Sequence, residues 1–435
     1  MMNKQVATFF LDKILLLVVF FFPLIIVFRS SAINIATAAV SIVMLLNIFQ
    51  KVQIEIFRNK LVIYIIIFFS FIFINSIIHF TSFDLLLKSL GNFRYFFLSL
   101  AVMLVFEKMS DKQQKFFIYF NIIIISLIAL DILYQFIFYK DIFGFLPGMC
   151  SDIFSRKCER FSGIFGDELI AGSYLSQIGF LILMLLLKNL ELNKNFFYIL
   201  IKFFLFLFLI SIILFTGERS ALLIVVISFF FIYFFQNKII NFFFLFFFLL
   251  ILTFFSAQRI DSINSRFIKL FDGWGATSQN ATIINKITES PWSFHYQAAI
   301  ELFIQKPILG HGSRSFRIKC EITNIDQKTR EQRDYYRDYR ACSTHPHNYL
   351  LEFLSENGII GGFFFIGLFL FVFISVYKKN KNHKKENIFI FIGIGSLILA
   401  IIFPFKPSGS FFSTFNASML FYIFGFFLHY LKKIK

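Results

Sequence analysis

Apolar stretches of about 20 residues recur along nearly the whole chain. They lie near 14–28, 31–49, 61–79, 91–106, 116–138, 169–187, 197–215, 220–235, 239–255, 358–377, 388–405 and 411–431. A hydrocarbon core about 30 Å thick is crossed by roughly 20 apolar residues in a helix, which pairs its own amides where lipid offers no partner. A soluble domain does not repeat such runs, and at 58% hydrophobic residues with a mean hydropathy of +0.76 this chain has little else. The expected fold class is an all-α polytopic membrane protein with about 12 transmembrane helices. The 72 Phe, with abundant Ile, Lys and Asn, read as AT-rich codon usage and lipid-facing filler, not as a stacking platform. No small-residue cleavage site follows the first run, so it is expected to stay as a helix.

Basic residues in short loops set orientation. Lys51, Arg58 and Lys60 share one loop; Lys108, Lys112 and Lys115 the next on that side; then come Lys188 and Lys194, and Lys238. Lys378, Lys379, Lys381, Lys384 and Lys385 form the densest cluster, and Lys432, Lys433 and Lys435 end the sequence. Threading the spans puts all of them on one side, so both termini are expected in the cytoplasm. The net charge of +17 is then a topology signal and not a nucleic-acid footprint. The same threading puts Cys150, Cys158, Cys320 and Cys342 outside, where disulfides form; 150–158 and 320–342 are the simplest pairings. A zinc site competes, but the cysteines are widely spaced and no CxxC pair exists.

The chain divides into transmembrane helices 1–9 over 1–255, a loop subdomain over 256–357 between spans 9 and 10, and helices 10–12 over 358–435. Within the loop, 297–304 has helical apolar spacing, Pro307-Ile308-Leu309-Gly310-His311-Gly312 breaks that helix, and the charged stretch 324–340 reads as a solvated excursion. Cys342-Ser343-Thr344-His345-Pro346-His347-Asn348 closes the loop. Pro346 suits the first position of a helix, putting His347 in the first turn, where the positive helix end keeps an imidazole neutral and basic. Capping of that helix is the plainer role for either histidine.

Arg219 follows Thr216-Gly217-Glu218 in a short turn between spans 7 and 8, where it can clamp phosphate or sit at the interface paired with Glu218. Arg160, in Arg160-Phe161-Ser162-Gly163-Ile164-Phe165-Gly166-Asp167-Glu168, can bind phosphate or pair with Asp167 or Glu168. Asp131, inside the fifth span, is expected to face protein or a wet cavity. Asn280-Ala281-Thr282 matches a glycosylation sequon too short to carry weight. No P-loop, Rossmann glycine pattern, HExxH or internal repeat is present.

Together these motifs resemble the O-antigen ligase and polymerase superfamily of bacterial surface-polysaccharide assembly. Arg219 to Leu223 fits its Arg-x-x-x-Leu element, His347-Asn348 followed at Gly358 its His-[Asn/Ser]-x9-Gly element, and Pro307 to Gly312 its Pro-[Ile/Leu]-Leu-Gly-x-Gly turn. The resemblance covers about 160–375. It departs where the family carries a second arginine, since Ser290 to Tyr296 holds none; Arg314, Arg160 or His295 are the substitutes. The resemblance implies a multi-pass protein of the bacterial inner membrane, with the loop in the periplasm. It also implies metal-independent, inverting glycosyl transfer without a cofactor, from a glycan on undecaprenyl diphosphate to a sugar hydroxyl of lipid A–core or a similar acceptor. His347 would be the base and Arg219 the diphosphate clamp, with Arg160, Arg314, His345 and Asn348 as substrate contacts. A repeat-unit polymerase is the alternative, and a lipid-linked glycan flippase the reading from another class.

Overall fold

The computed structural model describes residues 4–51, 59–80, 82–152, 157–191, 196–268, 283–331, 341–382 and 387–434. The first half comprises α1 (Lys4–Val27), α2 (Arg29–Lys51), α3 (Lys60–Ile78), α4 (Phe83–Gly91), α5 (Phe93–Lys108) and α6 (Asp111–Phe138). A hairpin follows, β1 (Gly148–Asp152) with β2 (Lys157–Arg160), then α7 (Ala171–Tyr174), which runs through a π-turn into α8 (Phe180–Glu191). Next come α9 (Phe196–Thr216), α10 (Arg219–Phe235), α11 (Ile239–Ala257) and the short α12 (Asp261–Ile263) with a π-turn over Asn264–Ile268. The loop subdomain holds α13 (Ile283–Thr288), α14 (Pro291–Gln305), α15 (Phe316–Lys319) and α16 (Asn324–Glu331). The chain ends with α17 (Tyr349–Asn382), α18 (Ile388–Ile401) and α19 (Thr414–Lys433).

Among the described residues, 8 helical stretches are long and apolar enough to cross a membrane, and four shorter apolar helices accompany them: Ala171–Leu187, Phe203–Thr216, Arg219–Phe235 and Ile388–Ile401. Their outward faces carry exposed Phe, Ile and Leu, while α5, α18 and α19 are largely buried among the others. This is an all-α membrane protein. Arg58, Lys194, Lys384, Lys385 and the sequon at 280–282 lie outside the described residues.

Basic helix ends gather at one end of the bundle. Lys108 at the close of α5 meets Asp12 of α1 at 2.8 Å, Lys432 of α19 meets Glu107 at 2.5 Å, and Lys379 of α17 donates to the Ile434 carbonyl at 3.3 Å. Asn380 of α17 also donates to the Phe235 carbonyl at the end of α10. The part of α17 that follows Gly358 therefore runs parallel to α10, and Arg219 and Gly358 share the opposite end.

Local chemistry explains the boundaries. Ser110 and Gln113 form a capping box at the start of α6. Ser290 accepts from the Ser293 amide at 3.2 Å, and Pro291 takes the first helical position of α14. Asp131 is 4% exposed, and its Oδ1 accepts from the Ile142 amide at 3.0 Å, so the acid in the fifth span faces protein and ties down the next loop.

Two expectations change. Residues 324–331 form α16, which is solvated on one face but anchored on the other: Asp326 is fully buried, accepts from the Cys342 amide at 2.9 Å and pairs with Arg330 at 2.7 Å. The remaining 332–340 lie outside the described residues. The apolar run 388–405 is helical only to Ile401, because Pro404 and Pro407 interrupt it and 402–413 becomes a buried loop. The segment α17 is two helices that meet at a kink on Gly358, the position at which the sequence division at 357/358 falls. Cys150 is bonded to Cys158 across the hairpin and Cys320 to Cys342 across the loop subdomain, whose own small core packs Phe294, Ala298, Leu302 and Phe316 around Cys320.

Candidate active site

The helix break at Gly358 explains why two distant glycine motifs go together. Gly358 has φ 64° and ψ −164°, so it interrupts the hydrogen bonding of α17 and leaves neighbouring polar groups needing partners. The Pro307–Gly312 turn supplies them: His311 and Gly312 amides donate to the Ser355 and Glu356 carbonyls at 3.2 and 2.8 Å, and the Ile359 amide donates to Pro307 at 2.8 Å. Asn75 of α3 completes the joint, donating to the Leu309 carbonyl and to Asn357 Oδ1, both at 3.0 Å. The turn is thus a splint on the broken helix, and it holds the first two turns of α17 in place.

Asn348 is the residue that starts that helix. Its Oδ1 accepts from the Leu351 amide at 3.0 Å, and its Nδ2 donates to the Pro404 and Lys406 carbonyls at 2.8 and 3.2 Å. At 7% exposed with these bonds made, Asn348 is a helix cap and an anchor for the 402–413 loop. Pro346 does not open the helix. His347 precedes the cap with a left-handed φ of 55°, a conformation uncommon for a β-substituted residue. The buried loop secures it, the Ser408 amide donating to the His347 carbonyl at 2.9 Å. Glu352, one turn on, accepts from Ser410 Oγ at 2.5 Å and the Phe411 amide at 2.9 Å.

Three imidazoles and an indole converge there. The His347 ring lies 4.1 Å from His345, 5.1 Å from His295 and 5.7 Å from Trp292, the last nearly parallel at 11°. His295 Nδ1 is 2.8 Å from the Ala341 carbonyl, which fixes the proton there and leaves Nε2 an acceptor. His345 Nδ1 is 2.9 Å from Thr344 Oγ1, and its buried Nε2 has no hydrogen-bond partner. Burial, then the neighbouring His295, lowers the pKa of His347 to about 4. Burial first, then His347, His295 and Arg317, lowers that of His345 to about 3. His295 is also lowered by burial. Desolvation, the largest cause in each case, thus favours the neutral form of all three imidazoles. Among the described residues no group of three or more His, Cys, Asp or Glu is arranged to hold a metal ion.

Lys406, which sequence reasoning did not single out, lies in the loop beneath this cluster. It is 4% exposed, its Nζ is 5.2 Å from the centre of the Tyr349 ring, and burial lowers its pKa to about 7. Arg314 has a left-handed φ of 62°; its amide donates to Glu356 at 2.6 Å and its guanidinium to the Phe412 carbonyl at 3.3 Å. It is therefore built into the support of the histidine segment.

The second group surrounds Gly217. Arg219 Nε donates to the Arg266 carbonyl at 2.6 Å, and Arg266 Nε donates to the Gly217 carbonyl at 3.1 Å, so the two arginines lock each other's chain segments. Arg160 joins them from β2, donating to the Leu169 carbonyl at 2.7 Å. The acid opposite Arg160 is Glu218, at 3.7 Å, and not Asp167 or Glu168. Glu218 is buried against the start of α7, where it accepts from the Gly172 and Ser173 amides at 2.7 and 3.0 Å. Burial raises its pKa, and Arg160 opposes that rise. Arg266, 3.5 Å from Glu159, was missed because a lone arginine after an apolar run has no motif around it.

The structure thus unites Arg160 with Arg219 and, separately, His345 with His347. Because α10 runs parallel to the part of α17 after Gly358, the arginines at the start of α10 and the Gly358 joint stand at the same end of the bundle, and the histidines precede the short helix that leads into that joint. Fold and site define a polytopic helical membrane protein with a basic group and a neutral imidazole cluster. Residues 203–366 match the family model described as O-antigen ligase, which supports the O-antigen ligase superfamily for this chain. The matched segment holds Arg219, Arg266, the Pro307–Gly312 turn, His347 and Gly358. A comparison with curated proteins found no match.

Proposed function

We propose that this protein is a glycosyltransferase of the outer face of the bacterial inner membrane, with both termini in the cytoplasm. In this reading it moves a glycan from undecaprenyl diphosphate to a sugar hydroxyl of lipid A–core or a comparable acceptor, as a ligase. The observation that carries the reading is that the matched family segment holds Arg219, Arg266 and the histidine cluster, with Arg219 and the Gly358 joint at the same end of parallel helices.

The chemistry uses each group for what it is. The acceptor oxygen attacks the anomeric carbon as the bond to the diphosphate breaks; its proton passes to neutral His347, and the charge left on the diphosphate meets Arg219 and Arg266. A base with a pKa of about 4 is weak in the empty site, but an arriving dianion stabilises the imidazolium and raises that value toward working pH. His345 and His295 position the ring and keep water out.

His347→Ala should lower transfer about 10²–10⁴-fold and leave donor binding in place, the loss typical of a general base. Arg219→Ala should weaken donor affinity and turnover together, with Arg219→Lys recovering part, since lysine lacks the bidentate fork. Full activity of His347→Ala at normal protein level would sink the mechanism and favour a flippase. Surface-polysaccharide gels of a deletion strain separate the activities: unattached lipid-linked glycan marks a ligase, single-repeat lipopolysaccharide a polymerase.

A further inference from the structure

A cavity of about 120 Å³ lies between the end of α3, the start of α4 and the turn that precedes α15. It holds none of the arginines and histidines assigned to the transfer, although His311 and Gly312 in its wall belong to the splinting turn. Its wall includes His79, Ser82, His311, Ser315 and Lys319. We propose that it holds the phosphate of a membrane phospholipid, with the acyl chains lying along the apolar rim outside.

Four observations converge on that ligand. Ser315 is 6% exposed and its buried Oγ has no hydrogen-bond partner, so a donor or acceptor is missing where the cavity meets this turn. Basic groups surround it: burial lowers the pKa of His311, its bond to the Leu302 carbonyl works against that, and Lys306, Lys319 and His79 lower it further. Asp84, the acid in the first turn of α4, is held by Lys88 at 2.5 Å, and Glu356, behind Ser315, accepts from the Arg314 and Phe316 amides at 2.6 and 3.2 Å. The nine-residue α4 starts at the cavity with Ser82 as its cap, so amide dipoles add to the positive potential.

The rim then selects a lipid over a free ion. Ile318 in the wall is 53% exposed, Ile78 and Phe80, next in the chain to His79, are 59% and 57% exposed, and Phe83, next to Ser82, is 66% exposed. A small basic hole framed by unpartnered apolar side chains at the end of a membrane helix matches a charged head on a greasy tail. At about 120 Å³ the hole is well below the several hundred Å³ usual for a whole drug-sized ligand, and suits one phosphate group.

The test uses the full-length protein purified in detergent. Native mass spectrometry and thermal midpoints are recorded with phosphatidylglycerol, with dioleoylglycerol of the same chains, and with inorganic phosphate. Phosphatidylglycerol should be retained and should raise the midpoint, and dioleoylglycerol should do neither. Ser315→Ala/Lys319→Gln should weaken retention about tenfold, the scale of a lost charge-assisted hydrogen bond, while its midpoint without lipid matches the parent. If the double variant is poorly folded, Lys319→Gln alone must show the same direction of change. Equal retention by the variants, or an equal response to dioleoylglycerol, overturns the proposal. So does a shift reproduced by millimolar phosphate without preference for lipid, which would make this a free-anion site.

Discussion

Gly358→Ala is the sharpest test of how the histidine segment is held. With φ 64° and ψ −164°, position 358 occupies a region open essentially to glycine alone, and an alanine held there costs about 1–3 kcal/mol. A β-carbon would also lie 2.2 Å from the Ile308 oxygen, 2.3 Å from the Ile308 carbonyl carbon and 2.6 Å from the Leu309 nitrogen. All three are backbone atoms of the splinting turn, which cannot swing aside as a side chain could, so a further ~1–3 kcal/mol of overpacking follows. The sum, about 2–6 kcal/mol, should separate the turn from α17 and lower the unfolding midpoint in detergent. Gly144→Ala is the control: its φ is 91° but nothing lies within 4 Å of its β-carbon, so it carries the backbone part alone. Equal destabilisation of the two variants would refute the splint. Loss of transfer in Gly358→Ala, with His347 untouched, would be its functional counterpart.

Acid should loosen the protein through its neutral imidazoles. Folded His347 and His345 bind protons less readily than the unfolded chain, with pKa values of about 4 and about 3 against an ordinary 6.5, so stability is full above pH 6.5 and is lost as pH falls toward 4 and below. Midpoints recorded from pH 7 to 4 should fall, and a His345→Asn/His347→Asn variant should flatten that slope; an unchanged slope would contradict the buried, neutral assignment. Reporter fusions at Lys238 and Asn382 should read cytoplasmic and at Asp326 periplasmic, and a cytoplasmic signal at Asp326 would invalidate the sidedness of the site. Replacing Cys320 and Cys342 by serine removes a cross-link over a separation of 22 residues and should cost roughly 3 kcal/mol in the chain-entropy picture, read as a lower midpoint under oxidising conditions only.

What the sequence determined by itself was whatever depends on local pattern. Apolar runs of membrane length become helices because lipid leaves the backbone no other way to pair its amides, so a helical membrane bundle could be read from the sequence. The neighbourhoods of Arg219 and His347 were legible because short polar segments stand out against such runs. Tertiary structure decided what those residues touch. That Pro307–Gly312 and Gly358 form one joint follows from a close approach of two backbones that lie about 50 residues apart. That Asn348 caps a helix while His347 stays outside it depends on the 402–413 loop, which reads in sequence as the end of a span. Arg266 and Lys406 carry no motif, and gain their place beside Arg219 and Tyr349 only when α11 and the 402–413 loop fold back onto the bundle. The neutral state of the imidazoles belongs to the same class. It comes from burial among three other rings brought together from α14 and the segment before α17, and desolvation is a property of the folded neighbourhood, not of the residue or its spacing.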